Sequence, residues 1–397
     1  MSRTTSGRRS ERAADGAQRD REARAWGWVA HLRDGGTTPW SAWGSAAGAD
    51  QHFGRYLPGA QQLELVRRLN QRRLPSPELA DRILATSAPG RGRPDLGLVG
   101  VLPDSAFGPP PVDPAELPGD ELVRVATALI AEDVVAAGDP FETRTPRLLR
   151  RRYRLLGDPE LATPLRAALV ADGRPPGGRR ATVVVAGTDL ASMLVHLWTA
   201  RSLGAGVRPW RDWLRLETGR TGLPDRIDLA ARAQEWVPRV GAGHVHVVLD
   251  DPRRVVRMVT RRRIAAVRPL SADAVELARR TAPVVGTLVT PERRTALMWH
   301  RLRPVLSAYP GPPLRPPPRF RDWLVDGTTD LRRRLATGDY AVHGALPDPA
   351  GGPADQPGVS APDDERVLAL AIQVLLGPPI GTPRSGRAAE TPRREAE

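Results

Sequence analysis

The stretch "ATVVVAGTDLASMLVHLWTARSLG", residues 181–204, decides how this chain is read. A β-branched run reaches a Gly-Thr turn. Asp189 then opens an amphipathic helix, since an aspartate carboxylate can accept a free amide of a helix's first turn. Further on, "HVHVVLDDP" (244–252) is a second apolar run ending in a turn. Between the two, "RPWRDWLRLE" (208–217) and "PDRIDLAARAQEWVPRV" (224–240) carry helical spacing. Strand, helices, strand is the βαβ pattern, so the economical fold is α/β with a parallel sheet flanked by helices.

Toward the N-terminus, "GRPPGGRR" (173–180) reads as a boundary. Before it, a helical region is expected over 146–171, broken at "GDPE" (157–160), and another helix over 120–138. Residues 88–119 read as one long loop, either a lid or a surface wrap. Two helices are expected at 61–73 and 76–87, the second capped by Ser76 with Pro77 at its first position. "WVAHLRDGGTTPW" (28–40) reads as a short strand delivering the chain to a Gly-Gly-Thr-Thr bend, the outline of a phosphate cradle. Toward the C-terminus, helices are expected over 272–285, 291–308, 318–337 and 363–377. The organisation that follows is a disordered tail (1–23), an N-terminal region with the first strand, its loop and helices (24–180), an α/β core (181–347), a linker (348–362), a final helix (363–377) and a second tail (378–397).

Composition excludes several chemistries. The chain has 397 residues and no cysteine, which removes disulfides, thiol catalysis and cysteine-ligated zinc. All 59 basic residues are arginine. A Schiff-base lysine and the lysine of a Walker-type phosphate loop are therefore impossible. Gly (38) and Pro (41) make up about a fifth of the chain, which requires substantial loops or tails. Trp supplies 10 of the few aromatics and is expected to mark the packing centres. No apolar run is long enough for a transmembrane helix and the N-terminus has no signal-like core, so a cytoplasmic location without membrane association is expected. A net charge of +14 raises nucleic acid as a partner. The arginines are scattered, however; the densest runs are "RLLRRRYR" (147–154) and "RRVVRMVTRRR" (253–263), and neither interleaves aromatics as a single-strand binder would.

The segments "VVVAGTDLASMLVHLW", "WRDWL", "EWVPRVGAGHVHVV", "PPPRFRDW" and "LATGDYAVHGAL" together resemble a bacterial sulfotransferase family, over roughly residues 181–347. The resemblance implies a P-loop-NTPase-like α/β fold with a nucleotide held at the C-terminal ends of the strands, and sulfuryl transfer from phosphoadenosine phosphosulfate (PAPS). The family's donor loop resembles Arg33-Asp34-Gly35-Gly36-Thr37-Thr38, with Gly36, Thr37 and Thr38 matching and the loop lysine missing. Thr188 stands where the family has an arginine for the 3′-phosphate, while Asp189 is kept. The implied phosphate-binding set is Arg33, Gly35, Gly36, Thr37, Thr38, Thr188 and Asp189.

The expectation is thus a sulfotransferase-like protein with an altered donor loop, catalytically silent or binding another phosphate-bearing ligand such as a nucleotide. The alternatives are an active PAPS-dependent enzyme in which Arg33 replaces the loop lysine, and an arginine-rich polyanion binder. His196, one helix face on from Asp189, is a candidate general base or a core histidine. Asp250 and Asp251 end a strand where α/β enzymes place chemistry, though Asp251 before Pro252 also suits a helix cap. His244 and His246 would share a strand face; sheet packing is expected there, and no metal site is assigned. "GRGRP" (90–94) has the composition of a minor-groove hook or of a solvated loop.

Overall fold

The computed structural model describes residues 4–44, 56–87, 95–101, 109–139, 152–178, 180–260, 268–347 and 358–382, with backbone alone for 4–14. Four helices come first: α1 (Thr4–Arg33), α2 (Ala60–Arg72), α3 (Pro77–Ala85) and α4 (Gly119–Ala136). Strand β1 (Tyr153–Gly157), α5 (Pro159–Ala171) and β2 (Thr182–Gly187) follow. Then come α6 (Leu190–Gly204), α7 (Trp210–Thr218), α8 (Leu229–Val240), β3 (Val245–Leu249) and α9 (Pro252–Val259). The chain continues through α10 (Ala272–Leu288), α11 (Pro291–Leu297), a π-helical turn (Met298–Leu302), α12 (Arg303–Leu306), α13 (Arg321–Ala336), β4 (Ala341–His343) and α14 (Asp364–Leu375). The protein is therefore α/β, with one four-stranded parallel sheet in the order β1-β2-β3-β4.

Both faces of the sheet are covered, which is why β2 reads as a continuous apolar run rather than an alternating one. Val183, Val185, Val245 and Val247 pack into the large core, which contains residues of α6 and α8. On the opposite face Tyr153, Leu155, Val184, Ala186 and Val248 form a smaller core with α5 and α9. Tryptophan does mark packing centres. Trp198, Trp210 and Trp213 are fully buried and pack in series, the first pair tilted and the second stacked, with centroids 5.4 and 5.6 Å apart. Helix α10 packs on α6 and on α4, and α4 packs on α14, so the N-terminal helices share the core of the sheet layer. Since β1 pairs with β2, the boundary expected at 180/181 does not divide the core.

Three local expectations are corrected. Residues 28–32 are the last turns of α1, not a strand; Trp28, Val29 and Leu32 bury one helical face, and that periodicity decides. Residues 4–23, expected as a tail, form the greater part of the same helix. Residues 153–157, expected as helix, are strand β1, because pairing with β2 and burial of Tyr153 and Leu155 outweigh the helical spacing of the basic run. Residues 147–151 of that run, 261–263 of the other and "GRGRP" (90–94) lie outside the described residues. The loop 88–119 contains, where described, a short bridge between Leu98 and Val112 and a 3-10 turn at Pro114–Glu116. Among the described residues no helix is long and apolar enough to cross a membrane.

Candidate anion-binding cleft

The Gly-Thr bend is the C-terminal cap of α1. Gly35, at φ 91°, donates its amide to the Leu32 carbonyl, and Gly36 donates to His31. This is how glycine ends a helix in the left-handed region. Both amides are consumed by the helix's own orphan carbonyls, and a helix C-terminus carries partial negative charge, so the bend repels an anion rather than cradling it. The rest of the segment is also engaged. Asn70 donates to the carbonyls of Leu32 and Gly36, Trp28 Nε1 to the carbonyl of Thr38, and the Thr38 hydroxyl sits 3.1 Å from His31 Nε2. The Thr37 carbonyl accepts from Arg67. Arg33 forms an ion pair with Asp81 at 2.5 Å.

The remaining sequence-nominated residues gather at the C-terminal ends of the strands. Asp189 caps α6 by accepting from Ser192 N, and Asp251 caps α9 by accepting from Arg254 N, each at 2.8 Å. Thr188 donates to Asp250 Oδ1 at 3.2 Å. Asp250 is the one non-glycine residue with positive φ (52°) among the described residues, and its amide is held by the Gly187 carbonyl. This crest ties β2 to β3 with polar groups that are already partnered. His244 lies in the turn before β3, while His246 lies on the strand and stacks on His343 of β4.

His196 has a partner that sequence reading missed. Its Nδ1 lies 2.7 Å from Asp158 Oδ2, and Asp158 is fully buried. An ionised carboxylate only accepts, so Nδ1 carries the proton and Nε2 is the free ring nitrogen. Burial lowers the imidazole's pKa, but the Asp158 carboxylate, with the nearby charges of Glu160 and Asp189, more than reverses this and raises it above its ordinary value. Asp158 is fixed twice more: its other oxygen caps α5 at Glu160 N, and its own amide donates to the Ala186 carbonyl. "GDPE", read as an interruption in a helix, is in fact the end of β1, the cap and the start of α5.

Beside this pair opens a cleft of about 960 Å³. Its walls are the last residues of β1 (Leu156, Gly157), α5, the C-terminal end of α6 and the segment 291–299, with Trp299 as its aromatic surface. Ala200 and Gly204 of α6 lie in the wall; His196 stands one turn before Ala200 on the same helical stripe. Five arginines line the cleft (Arg166, Arg201, Arg226, Arg232 and Arg294) against one carboxylate, Glu292. Arg201 is paired with Glu217 at 2.6 Å and Arg232 with Glu235 at 2.9 Å. Arg166, Arg226 and Arg294 have no carboxylate partner among the described residues. Among the described residues Arg166 donates to the Leu155 carbonyl. Burial lowers its guanidinium pKa below the ordinary value, and Arg226 adds to that effect. Arg294 keeps a buried Nε without a hydrogen-bond acceptor among the described residues. Arg226 is exposed and Arg166 and Arg294 are half-buried, so the cost of a donor without an acceptor falls on the buried Nε of Arg294, and an anion in the cleft would be met by all three charges.

None of these three arginines carries a local sequence signal, because each comes from a different helix or loop. No family model, curated protein or solved structure matches the chain.

Proposed function

We propose that this protein binds a small molecule bearing a phosphate or sulfate group, and that the ligand occupies the arginine-lined cleft rather than the Gly-Thr bend at 35–38. One observation carries the reading: Arg166, Arg226 and Arg294 open onto the same cavity without carboxylate partners among the described residues. Guanidinium groups match tetrahedral oxyanions through paired N–H donors, and they do so best where water is partly excluded. Trp299 and Val207 give the same cavity an apolar wall for the organic part of such a ligand. The family resemblance makes nucleotides, including sulfuryl donors such as PAPS, the first ligands to try. His196, oriented by Asp158 and one turn from the cleft wall at Ala200, is the candidate to exchange a proton with such a ligand through Nε2.

Calorimetric titration with PAPS, its desulfo product and inorganic sulfate, in buffers of matched ionic strength, tests the reading. Loss of a charge-assisted hydrogen bond costs about 1.5–3 kcal/mol. Arg226→Gln and Arg294→Gln should therefore each weaken binding by about tenfold or more. If no anionic ligand binds, or if binding survives both changes but disappears in Arg33→Ala, the cleft is not the site.

A further inference from the structure

From the sheet edge, independently of the cleft, we infer that His246 and His343 form a two-imidazole site for a divalent transition-metal ion of the zinc, nickel or copper kind. His246 is the second residue of β3 and His343 the last of β4, and the parallel register pairs His246 with Ala341 and Val248 with His343. The two histidines thus lie on the same face of adjacent strands, two residues apart along the ladder. Their rings stack at 5.4 Å between centroids and 25° between planes, with His246 Nδ1 and His343 Nε2 3.2 Å apart.

That separation is what a shared metal requires. Two imidazole nitrogens each about 2.0–2.1 Å from a tetrahedral ion lie about 3.3 Å from one another. The two nitrogens face each other end-on across a hydrogen bond, so for both lone pairs to meet at one tetrahedral ion each ring turns by about 35° about its side-chain bonds. An imidazole nitrogen without a proton has a lone pair to give. In the metal-free pair one ring nitrogen donates to the other. On binding, that proton moves through solvent to the opposite nitrogen of its own ring, leaving both facing lone pairs for the metal and releasing no net proton. Both rings are only partly buried, so the ion and its water ligands have a way in.

No group of three or more metal-ligating side chains occurs among the described residues. The remaining coordination positions therefore go to water, which leaves the ion open to a further ligand. Arg254 sets the opposing force, because its positive charge faces the same pair. The residue's backbone amide caps onto Asp251, and its side chain can be changed without touching that bond.

Titration of tag-free protein with Zn²⁺ and Ni²⁺ by calorimetry at pH 7.5, with circular dichroism to confirm folding, tests the site. One ion per chain should bind. Either His246→Gln or His343→Gln should weaken binding by at least tenfold, His244→Gln should leave it within about twofold, and Arg254→Gln should tighten it. Failure of the wild-type chain to bind either ion, or binding unchanged in both His246→Gln and His343→Gln, overturns the assignment.

Discussion

At the scale of single residues, His196 shows how much depends on a partner far away in sequence. The residue was legible as a histidine in an apolar helix, and nothing local separated a proton-transfer role from a core role. Asp158 separates them by supplying a buried acceptor. The pair makes stability depend on pH in a definite direction. The folded-state pKa of His196 is raised above the unfolded value of about 6.5. Its contribution is therefore complete below about pH 6.5 and is lost as pH rises through the higher folded-state value. A charge-assisted bond of this kind contributes about 1.5–3 kcal/mol. His196→Gln should accordingly lose about that much stability to urea at pH 5.5–6, and the gap to the wild-type chain should narrow steadily on the alkaline side. A gap that widens with pH would mean that Asp158 does not hold the proton on this imidazole.

At the scale of elements, α1 and its cap were the least legible part of the chain. An apolar run of five or six residues fits a strand or a buried helix equally well, and glycines after it suit a phosphate loop or a helix end. The choice was made by packing of Trp28 and Leu32 into the core and by carbonyls that claim the amides of Gly35 and Gly36. A Cβ at Gly36 would lie 2.2 Å from the His31 ring, which is itself stacked on Trp43 at 4.7 Å. Gly36→Ala should cost about 1–3 kcal/mol by forced repacking, measured as a lower thermal midpoint. Anion affinity should stay unchanged in that variant and also in Arg33→Ala, whose ion pair with Asp81 is partly exposed and contributes little. Loss of anion binding in a well-folded Gly36→Ala protein would restore the bend as a ligand site. Helix α3 was by contrast readable at once, because Ser76 caps it and Pro77 opens it; α10 and α14 were expected from their apolar spacing, and the structure adds Ser271 and Asp363 as their caps.

At the scale of the whole molecule, the buried Nε of Arg294 opposes folding, whereas the proposed anion binding would draw on the same guanidinium, a conflict typical of functional sites. Arg294→Met should raise the thermal stability of the ligand-free protein, by about 1 kcal/mol for removing a buried donor without an acceptor, while weakening anion binding. A fall in stability together with unchanged affinity would show that the arginine is structural. What the sequence determined alone were properties written within a dozen neighbouring residues: the apolar strands β2 and β3, the capped helices, the parallel α/β class, and the absence of lysine and cysteine chemistry. Only the tertiary structure decided which side chains meet. Asp158 reaches His196, His343 reaches His246, and Arg166, Arg226 and Arg294 converge, each across separations that no local period encodes. The physical reason is that backbone hydrogen bonding and apolar periodicity are short-range and repeat along the chain. Charge and proton exchange act through space, and so depend on how the sheet and its helices are stacked.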